Sequence, residues 1–508
     1  MSDDPYVQCG DVRIPLADVK EHAARLATGM HRAGIRHGDR VVIYLRNEIG
    51  FLELTMATAL IGAAPVPVNW HWTGDDLKHV LHNSGATLAV GHTDLIPHLE
   101  SQGPEGLMLV EAEVPEAVRD AYGLGEQPLT GHHAVLSDWY RQEPWSEPAP
   151  PAPMSVIYTS GTTGLAKGVL RDPIAPDVLP TTLKSIAELY HLRTAETTIV
   201  PAPLYHSAPN VYTSFAAALG MSIVIMPRFD AEGFLRSVQE HQVNTAHMVP
   251  TMFRRLLQLP ESTRARYSTA SLHSLVVAGA PCPPDLKEAV IAWLGPIVHE
   301  YYGGSEIGAW TACDAQEALA RPGTVGKPIL DADIKVLDES GRSVPPNTDG
   351  IIYGRTFTGW PDFTYIDDDE KRRRMESDGY LTLGDIGRLD DDGYLYLTDR
   401  LNDMVVSGGV NIYPAEIEAC LSTMPAVADA AVFGVSDPEM GEALVAHVQV
   451  LPGARIDAEA VRAHVAEHLA RYKVPREVVI VDELPREDTG KLFKRRLKEQ
   501  YGKKEASA

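Results

Sequence analysis

Cysteine is scarce in this chain: four in 508 residues, at Cys9, Cys282, Cys313 and Cys420, with no C-x-x-C pair. That leaves no disulfide framework and no zinc-site spacing. Positive charge is short as well. Lysine and arginine total 45 against 69 aspartates and glutamates, a formal net charge of −24. Such a field argues against nucleic acid or an anionic membrane as the main partner. Long apolar runs are missing. The most apolar stretch, "FLELTMATALIGAAPVPV" from Phe51, carries Glu53 and two prolines. It reads as a buried helix and a following strand, so no integral membrane segment is expected. The start, "MSDDPY", is acidic and lacks the apolar core of a secretory signal. The expectation is a cytoplasmic protein.

The length exceeds what one core supports, so several domains are expected. From about residue 41 to 91, strand-like "VVIYL", a helical stretch, "PVPVN", helical "DDLKHVLHN" and "TLAVG" alternate. That pattern favours a parallel sheet covered by helices. Proline-rich "EPWSEPAPPAP", ending at Pro153, reads as a spacer between two lobes. The alternation then resumes with "TIVPAP", "SIVIMP", "TAHMVP", "LHSLVVAG" and "IVHEYY". From Ala332, short strands joined by Gly/Asp turns suggest an antiparallel sheet or small barrel. The last hundred residues read as a compact α+β unit. The expected fold is α/β: two doubly wound lobes plus a small barrel-like sheet in residues 1–400, then a small α+β domain in residues 401–508.

One stretch stands out chemically. "YTSGTTGLAKGV", Tyr158 to Val169, follows the β-branched "MSVI" and packs glycines, hydroxyls and one lysine together. Glycines allow close approach to a ligand, and hydroxyls, amides and Lys167 suit phosphate oxygens. A Walker A loop is excluded, because Ala166 precedes Lys167 and Gly168 follows it. A polar surface turn is the plain reading of such a cluster by itself.

The loop resembles the signature of the ANL adenylate-forming superfamily, with Ala166 where proline is usual. Further motifs follow in the expected order. "VVAGAPCPP" resembles the segment whose Gly279, Ala280 and Pro281 pack on adenine. "EYYGGSEIG" resembles the Y-G-x-T/S-E motif. Its Tyr301, Tyr302 and Gly303 would line the nucleotide, with Tyr302 on the adenine face. Ser305 would hydrogen-bond the α-phosphate, and Glu306 would hold Mg2+ together with Thr159. Ser160, Gly161, Thr162, Thr163, Gly164 and Lys167 would cradle the phosphates. "TLGDIG" supplies Asp385 for the ribose hydroxyls, "TDRLND" supplies Arg400, and "PREDTGKLFKRRL" supplies Lys491, matching the catalytic lysine. The hinge matches Asn402, and "SGGVNIYP" brings Ser407, Gly408 and Gly409 to the CoA channel. Taken singly, Glu306 is an ordinary helix-start carboxylate, Asp385 turn chemistry, Arg400 a surface ion-pair partner, and Lys491 a solvated lysine. Their joint occurrence in order carries the assignment.

The resemblance implies an ATP-dependent acyl-CoA synthetase. A carboxylate would attack the α-phosphorus of ATP and expel pyrophosphate, and the acyl group would then pass from AMP to CoA. Two anions must meet, so positioned positive charge supplies the rate. The small C-terminal domain would swing between the two steps. His206 in "PLYHSAPN", read as an acyl-site gate, stands where peptide-synthetase domains place an aspartate. That favours an acid without an α-amino group. The acyl pocket is expected from His206, Met252, Ala278, Gly304 and Trp310, and fatty, cyclic and aryl acids stay open. Alternatives are an acyl-AMP ligase loading a carrier-protein thiol and a non-catalytic ATP-binding homologue. The resemblance gives a homodimer as the assembly to test.

Overall fold

The computed structural model describes residues 4–159, 165–401, 403–407, 410–486, 492, 494, 497–498 and 501. The chain forms two compact units. The first comprises Met1–Ala320, Pro328–Asp333 and Thr356–Ser377, and the second Arg321–Lys327, Ile334–Arg355 and Asp378–Ala508.

Two parallel sheets dominate the first unit. One runs Ala64–Pro67, Arg40–Tyr44, Leu88–His92, Met108–Ala112 and Ala134–Val135, all parallel. The other contains Val298–Gly304, Ser274–Val277, Thr245–Met248, Thr197–Val200, Ser222–Ile225 and Tyr6–Cys9 in that order, again parallel. Gly308–Cys313 and Val12–Pro15 add antiparallel strands to its ends. Central strands such as Leu88–His92, Thr245–Met248 and Ser274–Val277 are buried along their whole length, as expected of parallel strands covered on both faces. Alternation sorts their side chains: Val276 and Ala278 join the core that contains Tyr301, whereas Leu275 and Val277 join another.

Helix Leu16–Arg32 buries Leu16, Val19, Ala23, Leu26, Ala27 and Met30, an apolar stripe at three- and four-residue spacing. It packs on helix Ile49–Leu60, the apolar stretch noted above. The charge in that stretch is accommodated: buried Glu53 accepts from Tyr140 Oη at 2.5 Å and meets His22 Nδ1 at 2.8 Å.

A small antiparallel sheet joins Ile157–Thr159, Lys167–Arg171 and Phe363–Tyr365. Local pattern did not disclose the last pairing, which closes a loop of nearly two hundred residues.

In the second unit, Gly350–Arg355 pairs antiparallel with Tyr380–Leu381 and Asp385–Leu389, and the latter with Leu395–Arg400. A further sheet holds Val410–Ile412, Val405–Ser407, Gly441–Val450, Val427–Asp437 and Glu477–Val481. Helices Pro414–Ser422 and Ala458–His468 cover it through Ile417, Leu421, Val461 and Val465. The architecture is the mixed α/β arrangement read from the sequence, with a separate C-terminal domain. Among the described residues no helix is long and apolar enough to cross a membrane.

Candidate active site

Within the first unit, three expected site segments leave one edge of the same sheet. Thr197–Val200, Ser274–Val277 and Val298–Gly304 share a direction. The residues after their carboxyl ends are His206, Gly279–Pro281 and Gly304–Glu306. Ligands of open α/β sheets bind at that edge. His206 is the N-cap of helix Ser207–Ala218 and half-buried. Gly279 turns with φ +86, leaving Gly279 and Pro281 exposed and Ala280 half-buried. The next turn tolerates no side chain: a Cβ on Gly303 would lie 1.9 Å from the Gly308 carbonyl oxygen.

Glu306 and Ser305 are half-buried in that turn. Glu306 Oε1 accepts from Tyr365 Oη at 2.9 Å. Burial, then the charge of Glu306, raises the Tyr365 phenol, so it stays protonated as a donor. Lys167 Nζ donates to Asp368, and that bond holds the Asp368 carboxyl below the usual range. Lys371 Nζ lies 4.4 Å from the Tyr365 ring centroid, and burial followed by repulsion from Lys167 lowers it. Thr159 pairs with Lys167 across the hairpin that carries the glycine loop. Ser160, Gly161, Thr162, Thr163 and Gly164 lie outside the described residues.

The aromatic residues separate. Tyr302 is buried edge-on to Trp310, with centroids 6.0 Å apart. Tyr301 joins Tyr190 and buried His247, whose Nε2 is 3.2 Å from Tyr301 Oη. Burial depresses His247 to about 4, so it is neutral at pH 7. Met252 lies in the core that holds Met248 and Val249, and Ala278 in the one that holds Tyr301. Sequence reasoning missed Tyr365, Tyr190 and the buried Arg171. Only an arginine inside the otherwise apolar "GVLR" hinted at the last.

In the second unit, Asp385 and Arg400 are opposite one another on paired strands, with Nε 3.2 Å from Oδ1. Asp385 is buried and Arg400 half exposed. Ser407 is half-buried at a strand end. Asn402, Gly408, Gly409 and Lys491 lie outside the described residues. Lys494, three residues past Lys491, is described. Its Nζ is 2.9 Å from Glu418 Oε1. Burial works against the Lys494 charge, yet Glu418, Asp399 and Asp403 outweigh it and hold the ammonium above the ordinary lysine value.

The family model described as AMP-binding enzyme matches residues 1–357, and that of the AMP-binding enzyme C-terminal domain matches residues 416–491. Long-chain-fatty-acid–CoA ligase FadD13 of Mycobacterium tuberculosis is 29% identical over 97% of this chain and 94% of its own. Feruloyl-CoA synthase of an Amycolatopsis species is 31% identical over 98% and 96%. The crystal structure of ATP-bound MatB from Rhodopseudomonas palustris superposes with a TM-score of 0.84 at 26% identity, covering 99% of this chain and 97% of that one. The chain therefore belongs to the AMP-binding enzyme family, among its adenylate-forming acid–thiol ligases.

Proposed function

We propose that the protein joins a carboxylic acid to AMP and passes the acyl group to CoA, releasing pyrophosphate and then AMP. The observation that carries this reading is the shared sheet edge, from which His206, Gly279–Pro281 and Gly304–Glu306 all emerge. The named relatives are CoA ligases, which supports CoA over a carrier-protein thiol as acceptor.

In this reading the loop from Thr159 to Lys167 holds the β- and γ-phosphates, and Gly279, Ala280, Pro281, Tyr301, Tyr302 and Gly303 flank the adenosine. Asp385 and Arg400 bind the ribose, and Ser305 donates to the α-phosphate. Glu306 and Thr159 offer the oxygen donors a hard divalent cation takes, and Tyr365 orients the Glu306 carboxylate. Mg2+ bound there supplies offsetting charge for the phosphates. Lys491 neutralises the approaching carboxylate and α-phosphate. Residues 1–400 form the binding domain and residues 401–508 the mobile lid, hinged at Asn402, with Ser407, Gly408 and Gly409 beside the CoA arm. His206, Met252, Ala278, Gly304 and Trp310 contact the acyl group. A cytoplasmic homodimer completes the proposal.

The test is ATP–pyrophosphate exchange with a panel of carboxylic acids, followed by thioester detection with CoA. Wild type should exchange with at least one acid, and Lys491→Ala should lose about 100-fold or more while still binding ATP. Full activity in Lys491→Ala overturns the scheme.

A further inference from the structure

Arg171 ends strand Lys167–Arg171 and is 2% exposed. Its Nε, Nη1 and Nη2 are all buried, and none has a hydrogen-bond partner among the described residues. Burial pushes the guanidinium down to about 10, with Glu306 and Tyr190 working the other way, so it is charged at neutral pH. Neither residue forms an ion pair or hydrogen bond with it among the described residues. A buried, unpaired cation is among the costliest features a fold can carry, and native structures rarely keep one without a ligand.

A second orphan donor is adjacent. The Arg171 guanidinium carbon lies 5.5 Å from the centroid of Trp360, whose Nε1 is also buried with no partner among the described residues. Both groups are held firmly. Arg171 pairs with Phe363 across the small sheet. Trp360 follows Gly359, whose carbonyl accepts from Thr182 Oγ1 at 2.8 Å. Its ring also fills the space beside Gly308, where a Cβ would lie 2.5 Å from it. Gly308 lies two residues past Glu306, so the orphan donors lie next to the segment that carries the proposed acyl-site residue Gly304. Besides Glu306, the group acting on Arg171 is phenolic: Tyr190 is buried and hydrogen-bonded to Tyr301.

Three anions could answer these donors. Glu306 acts on Arg171 by its charge alone: it makes no hydrogen bond to the guanidinium among the described residues, and its Oε1 accepts from Tyr365. The triphosphate is disfavoured by distance, because a strand rises about 3.3 Å per residue, which puts Arg171 roughly 13 Å from Lys167 at the loop end. The acid substrate remains. Resting on the ligase reading above, we infer that Arg171, with the Trp360 indole, binds a second carboxylate carried by the acid substrate, distinct from the one that is activated. The substrate class is then a dicarboxylic acid rather than a simple fatty acid.

The test uses pyrophosphate exchange on matched pairs: adipate against hexanoate, terephthalate against p-toluate, and cyclohexane-dicarboxylate against methylcyclohexane-carboxylate. Wild type should favour the dianion in at least one pair by about 30-fold in kcat/KM, the scale of a buried charge pair. Arg171→Met should abolish that preference through the KM of the acid, leave the KM of ATP unchanged, and retain the rate on the monoacid. Arg171→Lys should restore part of it. The Met variant without substrate should melt no lower than wild type, because the substitution removes an unpaired buried charge; a residue with a purely structural role would lower it. Preference for the monoacid in every pair, unchanged discrimination in the Met variant, or equal loss on both members of each pair overturns the inference while leaving the ligase reading intact. Silence of wild type with every acid overturns both.

Discussion

Replacing Lys494 by methionine tests how the C-terminal unit holds Lys494 itself. The Lys494 ammonium is 2.9 Å from Glu418 Oε1, and the two side chains are 11% and 24% exposed. Removing one partner of a fully buried pair costs about 3–5 kcal/mol, because the remaining charge stays behind uncompensated, and this pair is only partly buried. Glu418 keeps one bond after the change, from the Val432 amide at 2.7 Å, so the low end, about 3 kcal/mol, applies. For a domain of this kind each kcal/mol moves the midpoint by about 2–4 °C, so the C-terminal transition should fall by about 6–12 °C. The deficit should depend on pH. Burial already raises Asp399, and Lys494 is the strongest influence opposing that shift. Without the ammonium the folded value rises further above the unfolded one. A raised carboxyl favours the folded state as pH falls through its folded value, so the deficit should narrow from pH 7 towards pH 4. Scanning calorimetry across that range, with hydrogen exchange at the Ala415 amide that bonds Asp399, reads both effects. An unchanged midpoint, or a deficit constant with pH, refutes the argument.

Tyr365→Phe deletes the donor to Glu306 without changing shape, and a hydrogen bond to a charged group contributes about 1.5–3 kcal/mol. The Mg2+ concentration that half-saturates pyrophosphate exchange should rise about 10-fold, and an unaltered titration counts against Glu306 as a ligand. Asp385→Ala should weaken ATP binding about 10-fold or more in calorimetry and erase discrimination between ATP and 2′-deoxy-ATP, which tests the ribose role. Gly308→Ala places a methyl 2.5 Å from the Trp360 ring at a φ of +70; a left-handed alanine alone costs about 1–2 kcal/mol, so the first unit should melt several degrees lower, and an unshifted midpoint contradicts the packing.

The expected site residues could be named from the sequence because the resemblance rests on short contiguous motifs. Gly279–Pro281, Tyr301–Glu306, Asp385 and Arg400 each occupy a turn or strand end that local residue types already mark. Pairings between distant segments were not legible. Phe363–Tyr365 beside Lys167–Arg171, and Tyr6–Cys9 beside Ser222–Ile225, depend on which edges meet after long loops close. Lys494 was invisible for the same reason: a lysine in a basic tail looks solvated until Glu418 and Asp399 surround it.

By itself the sequence determined the layered α/β class and the order of the motifs, since periodicity and residue chemistry are local properties, and the resemblance those motifs carry implied the reaction type. Only the tertiary structure decided that Arg171 is buried beside Trp360 with no partner among the described residues, that Tyr365 donates to Glu306, and that Tyr301 meets His247. Burial and charge environment are sums over neighbours from remote parts of the chain, and those neighbours exist only once the sheets have packed.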